Sequence, residues 1–340
     1  MGAPRSLSAG AQTLRIAAVW TVFLTLLYFR EAIAAWAAGS AAYQYLEDSW
    51  VATLLLFVIL VSMPECSPPV FALAAMIVSA PERWWLRFHD AWLHADESVC
   101  RFRLLVIIAP ALVFLVYWAN GLLLVAAELV PGEGGYIRRF KIQAKKALSS
   151  KQLPGLMLNI FVNLGCVVPV IAYVGYLVDA RLGGLLRVER ATPSHLEMAL
   201  HMAFSVFVNE VMFFYGHWLF HANKTLYKKV HKVHHEFTAP NALAAVYCHP
   251  VELILSDFLP LGAGIFLFRA HYVTGLIWIL AAVLGTQTHH CGYRWPWIPT
   301  HGHQPNFHDV HHEKFNVNYG NLRFLDMLHG TMAVDDVKAA

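Results

Sequence analysis

His217-Trp218-Leu219-Phe220-His221, His231-Lys232-Val233-His234-His235 and His308-Asp309-Val310-His311-His312 are the residues of this sequence whose types and spacing could do chemistry. Imidazoles recur at i and i+4 in each box, and in the last two also at i+3. A helix brings such residues to one face with Cβ atoms about 5–6 Å apart, close enough to share a metal. Composition alone does not produce this pattern: of 19 histidines, only His89 and His94 precede residue 195, whereas 14 lie between His217 and His312. The eight nitrogens of the three boxes exceed the four that fill a tetrahedral zinc, so two metals are implied. His290, in His289-His290-Cys291-Gly292-Tyr293, is the candidate ninth ligand; His249 or His289 is a further ligand or an outer partner. No Cys-x-x-Cys spacing accompanies them, and an imidazole-rich site suits iron, zinc or copper.

Ligating imidazoles are neutral and hand their second N–H to a carboxylate or carbonyl. Glu236, Asp309, Glu313 and Glu252 lie beside the boxes and are the candidate orienting partners. Glu210 stands apart from them, as an ionisable residue inside an apolar helix two turns before His217 and on the same face, where function is the default reading. His195, His201, His271, His301, His303 and His329 have no comparable spacing and are read as structural or interfacial.

The elements that must position these boxes are membrane helices. With 58% hydrophobic and 14% charged residues, against roughly 45–50% and about 25% in soluble domains, the chain is no soluble globular enzyme. A net charge of +3 is too small and too scattered for a nucleic-acid partner. The five cysteines are widely spaced and read as reduced thiols. Residues 104–130, 153–180 and 197–220 are the clearest spans, each close to the 20 or so apolar residues a bilayer requires. Residues 16–29 make a span or an interfacial helix, 51–80 a kinked span broken by prolines, and 82–103, rich in Trp and charge, a helix at the membrane surface. Residues 251–270 and 272–285 are expected to form a re-entrant or interfacial helical hairpin. Arg138, Arg139, Lys141, Lys145, Lys146 and Lys151 crowd one loop, which marks the cytosolic side; counting spans from there delivers His217 to the same side.

The expected organisation is therefore an N-terminal membrane or interfacial region (1–100), transmembrane helices with a basic cytosolic loop (101–209), a histidine-box di-metal domain (210–331) and a tail (332–340). The fold class is an all-α integral membrane protein whose spans are capped by a cytosolic, helical, histidine-rich di-metal domain.

From Glu210 to Thr331 the sequence resembles the fatty acid hydroxylase and sterol desaturase superfamily of membrane oxygenases. The resemblance rests on the three boxes, His249-Pro250-Val251-Glu252, His290-Cys291-Gly292-Tyr293, Asn318-Tyr319-Gly320, Leu325-Asp326 and Gly330-Thr331. The wording is nearest the fatty acid hydroxylase domain-containing and methylsterol monooxygenase branch. The resemblance implies two iron ions, O2 as co-substrate, and electrons from NAD(P)H through a b-type cytochrome or a reductase. It also implies a lipid or sterol substrate and residence in the endoplasmic reticulum membrane. One departure stands out: where acyl hydroxylases carry a second H-x-x-x-H pair, this chain has His290 followed four residues later by Arg294. The activity expected is oxidation of a sterol methyl group, in a pocket lined by residues such as Phe213, Phe214, Trp218 and Phe220. Lipid desaturation or fatty-acyl hydroxylation is the alternative within the superfamily, and a metal transporter or zinc-stabilised scaffold the alternative outside it.

Overall fold

The computed structural model describes residues 81–92, 96–129, 136–295 and 304–333, together with 13–22 and a few neighbours of that segment. The apolar stretch at 51–80, His301 and His303 lie outside the described residues. Among the described residues the structure is helical, with two isolated bridges and no strand.

Helix α1 (Thr13–Val22) and helix α2 (Pro81–Trp92) precede four helices long and apolar enough to cross a membrane: α3 (Glu97–Ala126, continuing to Leu129), α4 (Leu153–Arg181), α5 (His195–Ala222) and α7 (Pro250–Leu267). The short helix α6 (Lys224–Lys229) follows α5. Helix α8 (Tyr272–His289) returns against α7, and α9 (Asn306–Lys314) and α10 (Phe324–His329) close the fold. The first three spans coincide with those expected from the sequence. The hairpin at 251–285 is present, turning at Arg269 and His271, but its first arm has 18 residues and is long enough to span. Residues 97–103 differ from expectation, because they open α3 instead of ending a surface helix. Asp96 caps them by accepting the Ser98 N–H at 2.7 Å, and Arg101 ties them to Asp179 of α4 at 3.1 Å. Trp85 of α2 is fully buried, against His271 and Tyr272.

Three of the spans contain a π-helical segment: Arg103–Ile108, Asn163–Val167 and Leu253–Phe258. In each case a proline, Pro110, Pro169 or Pro260, is the second residue after the segment. Proline has no N–H to give and its ring crowds the carbonyl four residues back. Widening to i→i+5 bonding in the preceding turn accommodates both, so these helices bulge without breaking.

Outward faces of the spans are apolar and exposed: Leu115, Leu123, Leu158 and Val170 are each 61–65% accessible, as suits side chains facing lipid. Inward faces carry a few satisfied polar groups. Between α3 and α8, Asn120 donates to Gln287 Oε1 and Gln287 Nε2 donates to the Tyr117 carbonyl, both at 2.8 Å. Helix α5 starts with Ser194 accepting the Glu197 N–H at 3.2 Å, one half of a capping box, and Glu197 pairs with Arg187.

Helices α5 and α7 cross at Gly264, where an added Cβ would lie 2.5 Å from the Ser205 Cα. Gly264→Val is expected to lower stability by about 1–3 kcal/mol, the usual cost of overpacking. Gly155→Ala, whose new methyl group meets nothing within 4 Å, should melt like the parent. Thermal unfolding of the purified protein in detergent checks both.

The basic loop between α3 and α4 folds onto the histidine region. Ile142 N donates to the Gly292 carbonyl at 3.0 Å, and Gln143 Nε2 donates to Thr238 O at 2.8 Å and Asp309 Oδ1 at 2.7 Å. Loop and boxes therefore occupy the same end of the helical bundle.

Candidate metal centre

Four parts of the chain supply the imidazoles. His217 and His221 stand on the last turns of α5, His231, His234 and His235 on the 3-10 segment His231–Glu236, His290 caps the end of α8, and His308, His311 and His312 belong to α9. The second box is thus a 3-10 segment and not the α-helix its spacing suggests, so its three imidazoles do not share one face.

The boxes exchange members, whichever helix type they adopt. His217, His221, His231, His235 and His311 converge in one group, and His234, His290, His308 and His312 in another, with the ligand atoms of each group within 4.8 Å of one another. The last two boxes each send their i and i+4 residues to one group and their i+3 residue to the other.

In the first group the Nε2 atoms of His221, His231 and His235 are 2.7, 3.0 and 3.1 Å apart. In the second, His290–His308, His308–His312 and His234–His290 are 2.9, 3.1 and 3.3 Å apart. Two nitrogens bound about 2.0–2.1 Å from one ion at 90–109° would lie about 2.9–3.4 Å apart; five of the six spacings fall in that range, and His221–His231 is slightly shorter.

The opposite ring nitrogens decide the tautomers. Nδ1–H of His217 donates to the Tyr319 carbonyl at 2.7 Å, of His290 to Thr286 at 2.7 Å, of His311 to Val317 at 2.7 Å, of His312 to Phe237 at 3.0 Å and of His234 to Tyr247 at 3.2 Å. His231 Nδ1–H donates to Glu252 Oε1 at 2.8 Å. A neutral imidazole has one proton, and here it is committed outward. The Nε2 lone pairs of His234 and His290 therefore face each other at 3.3 Å, and the buried His311 Nε2 has no hydrogen-bond partner. Opposed lone pairs repel unless a cation lies between them. Burial holds the rings neutral: it pulls His234 down to about 4 and His290, His308, His311 and His312 well below the ordinary histidine range.

Four consecutive backbone N–H groups orient the loop behind His217. Those of Tyr319 and Gly320 donate to Asp326 at 2.8 Å each, and those of Asn321 and Leu322 to Glu210 at 2.9 and 3.1 Å. Glu210 thus organises the loop that offers the Tyr319 carbonyl and belongs to neither imidazole group. Gly320 sits between the two carboxylates, where a Cβ would meet Glu210 Oε1 at 2.6 Å.

The other sequence candidates have different placements. His249 caps α7, its Nδ1 accepting the Val251 N–H at 3.1 Å, and belongs to neither group. His289 lies outside both groups, with its ring 6.5 Å from that of His308, and lines the cavity below. Glu236 accepts the Tyr247 hydroxyl at 2.7 Å in an exposed position. Asp309 accepts from Gln143, and burial pushes its carboxyl up to about 7. Among the acidic candidates only Glu252 contacts an imidazole of the groups. Arg294, standing where a second H-x-x-x-H pair would place its partner histidine, donates to Asn306 Oδ1 at 3.2 Å. The carbonyls of residues 237, 247, 286, 317 and 319 carry no sequence signal, since every residue type supplies one.

A cavity of about 1260 Å³, its open mouth included, starts at His217, His231, His234, His290 and His308 and continues between α3, α5, α7 and α8. Val206, Asn209, Glu210, Phe213 and His217 form one stripe of α5 along it. Of the aromatic residues expected to line a pocket, Phe213 does so. Phe214 and Trp218 lie about 100° further round the helix and pack on Tyr319 and His329, while Phe220 stacks on His231.

The sequence model of the fatty acid hydroxylase family matches residues 202–331. The chain is 36% identical over 222 residues to fatty acid hydroxylase domain-containing protein 2 of Macaca fascicularis, covering 64% of this chain and 63%, just under two thirds, of that relative. It is 32% identical over 210 residues to methylsterol monooxygenase 2-2 of Arabidopsis thaliana, covering 58% of this chain and 75% of the relative. Very-long-chain aldehyde decarbonylase GL1-11 of Oryza sativa subsp. indica is 29% identical over 258 residues, covering 71% and 91%. No solved structure matches the chain.

Proposed function

Since the chain belongs to the fatty acid hydroxylase family, we propose that it is a membrane-bound di-iron monooxygenase oxidising a C–H bond of a lipid, namely a sterol methyl group. The observation that carries this reading is the pair of interlaced imidazole groups at the head of a largely apolar cavity between membrane helices. In it, His217, His221, His231, His235 and His311 hold one iron, and His234, His290, His308 and His312 the other. Two irons supply the oxidant an unactivated C–H bond requires, with O2 and two electrons from NAD(P)H consumed and one water released per hydroxyl formed. The chain's own residues hold the rings neutral and aimed, and the walls of the cavity exclude water and present the substrate. Desaturation and fatty-acyl hydroxylation use the same oxidant on a different hydrogen, and the sterol reading is supported by the similarity to a methylsterol monooxygenase.

A transporter would place its ligands at the bilayer midplane in broken helices. Here they gather at the ends of the spans beside the exposed Lys224, Lys228, Lys229 and Lys232, a rim suited to an acidic electron donor such as a b-type cytochrome or a reductase. The protein resides in the endoplasmic reticulum membrane with this end in the cytosol. A tag inserted beside Lys145 is expected to be cleaved by protease added to sealed microsomes; its protection reverses the topology.

The test of function is the lipid profile of cells with and without the protein, followed by turnover of the purified chain with a reductant. Methylsterols are expected to accumulate in its absence and to be hydroxylated only when O2 is present. Unchanged sterol and fatty-acid profiles together with O2-independent turnover overturn the reading.

A further inference from the structure

We propose that Asp257 anchors a hydroxyl group of the lipid in this cavity, so that the substrate is an alcohol held close to the carbon that is oxidised. This rests on the reading of the cavity as a substrate site.

Several polar groups lining the cavity are committed elsewhere. His217, His231, His234, His290 and His308 face their neighbours in the two groups. Tyr117 donates its hydroxyl to the Leu243 carbonyl at 2.8 Å, and Glu210 accepts its two backbone N–H groups. Glu252 holds His231. Asp257 is the acidic group of the lining with no strong partner: its carboxylate lines the cavity, and its sole hydrogen-bond partner among the described residues is the Cys248 thiol, at 4.0 Å. A thiol is a weak donor, so an oxygen of this carboxylate has acceptor capacity left for a stronger one.

Location makes this costly unless something answers it. Asp257 stands inside the apolar α7, among Phe258, Leu261, Val113 and Ala281 of the cavity wall. A carboxylate at such depth is expensive and serves a ligand or a pathway. The residue belongs to the π segment that Pro260 imposes, five positions after Glu252. At about 1.5 Å per residue, that is roughly 7 Å along the helix from the carboxylate that orients His231.

For a sterol or a fatty alcohol, the polar group able to answer such an acceptor is its hydroxyl. The short run from Glu252 to Asp257 also limits which carbon reaches the histidine groups. The oxidised carbon is within a few bonds of the alcohol, as a methyl group beside a ring hydroxyl is, and not at the far end of a long acyl chain.

The test measures binding alone, with the purified full chain in detergent and no reductant. The probes are a tritiated 4-methylsterol and its 3-deoxy hydrocarbon, with 1-hexadecanol and hexadecane as a second pair. The wild-type chain should bind at least one alcohol about tenfold more tightly than its hydrocarbon, the discrimination expected when the hydrocarbon leaves a buried polar group unpaired. In Asp257→Leu the ratio should fall to near one for that pair, and in Asp257→Asn, which keeps an acceptor and the shape, to an intermediate value. A ratio near one in the wild type for both pairs, or one unchanged by Asp257→Leu, overturns the proposal without reference to any variant's activity. Binding preference and turnover separate the two readings. A chain that prefers the alcohol through Asp257 but oxidises nothing refutes the oxygenase, whereas one that hydroxylates a lipid without this preference refutes the anchor.

Discussion

His234→Ala is expected to remove one metal and leave the other, and to reduce lipid oxidation by more than about a hundredfold, since loss of even an outer partner of a ligand costs about 10–100-fold. His234 is close in sequence to His231 and His235 but groups with His290, His308 and His312. Its removal leaves three imidazoles in that group, while the five-membered group keeps all of its members. The double substitutions make the prediction specific to this exchange. His234→Ala with His308→Ala strikes one group twice and should still leave one metal per chain by elemental analysis. His231→Ala with His234→Ala strikes both groups and should leave less than one. If each box held its own metal, the order would reverse, because His231 and His234 would then share a site. Membrane insertion and helix content should be unchanged throughout, since these rings lie beyond the spans.

What could be read from the sequence, and what could not, divides along a physical line. Helices α3, α4 and α5 were legible because a bilayer fixes their length and their outward faces need only be apolar. The histidine spacing was legible because four residues are one turn, so His217 and His221 meet whatever surrounds them. The exchange between boxes was not, because which imidazoles meet depends on how His231–Glu236 and α9 pack against each other, and the α-helical third box divides its residues in the same way as the 3-10 second box. Glu210 shows a further limit. Its depth and register were correct guides to a buried role, but they could not reveal that its partners are the N–H groups of Asn321 and Leu322, more than a hundred residues away. The π segments sit before Pro110, Pro169 and Pro260 and carry a sequence cue that a reading of apolar length passes over.

Glu252→Ala is expected to weaken metal binding by the five-histidine group about 10–100-fold while His231 itself remains. The carboxylate is buried, and Oε1 accepts the His231 Nδ1–H at 2.8 Å. With alanine the proton has no acceptor nearby, and a buried donor left unsatisfied costs about 1–3 kcal/mol. The ring can escape that cost by turning or by moving its proton to Nε2, and either change withdraws the lone pair from the group. Glu252→Gln retains an oxygen in the same place and should recover much of the affinity, although a neutral acceptor leaves the imidazole a poorer electron donor. Competition with a metal chelator measures both variants. Equal affinity for Glu252→Ala and the parent would show that His231 is held by packing against Phe220 and not by its carboxylate. Glu210→Gln provides the contrast: its oxygens accept from the loop N–H groups, so its effect should fall on the His217 side, through the Tyr319 carbonyl, and leave the response to Glu252 substitutions intact.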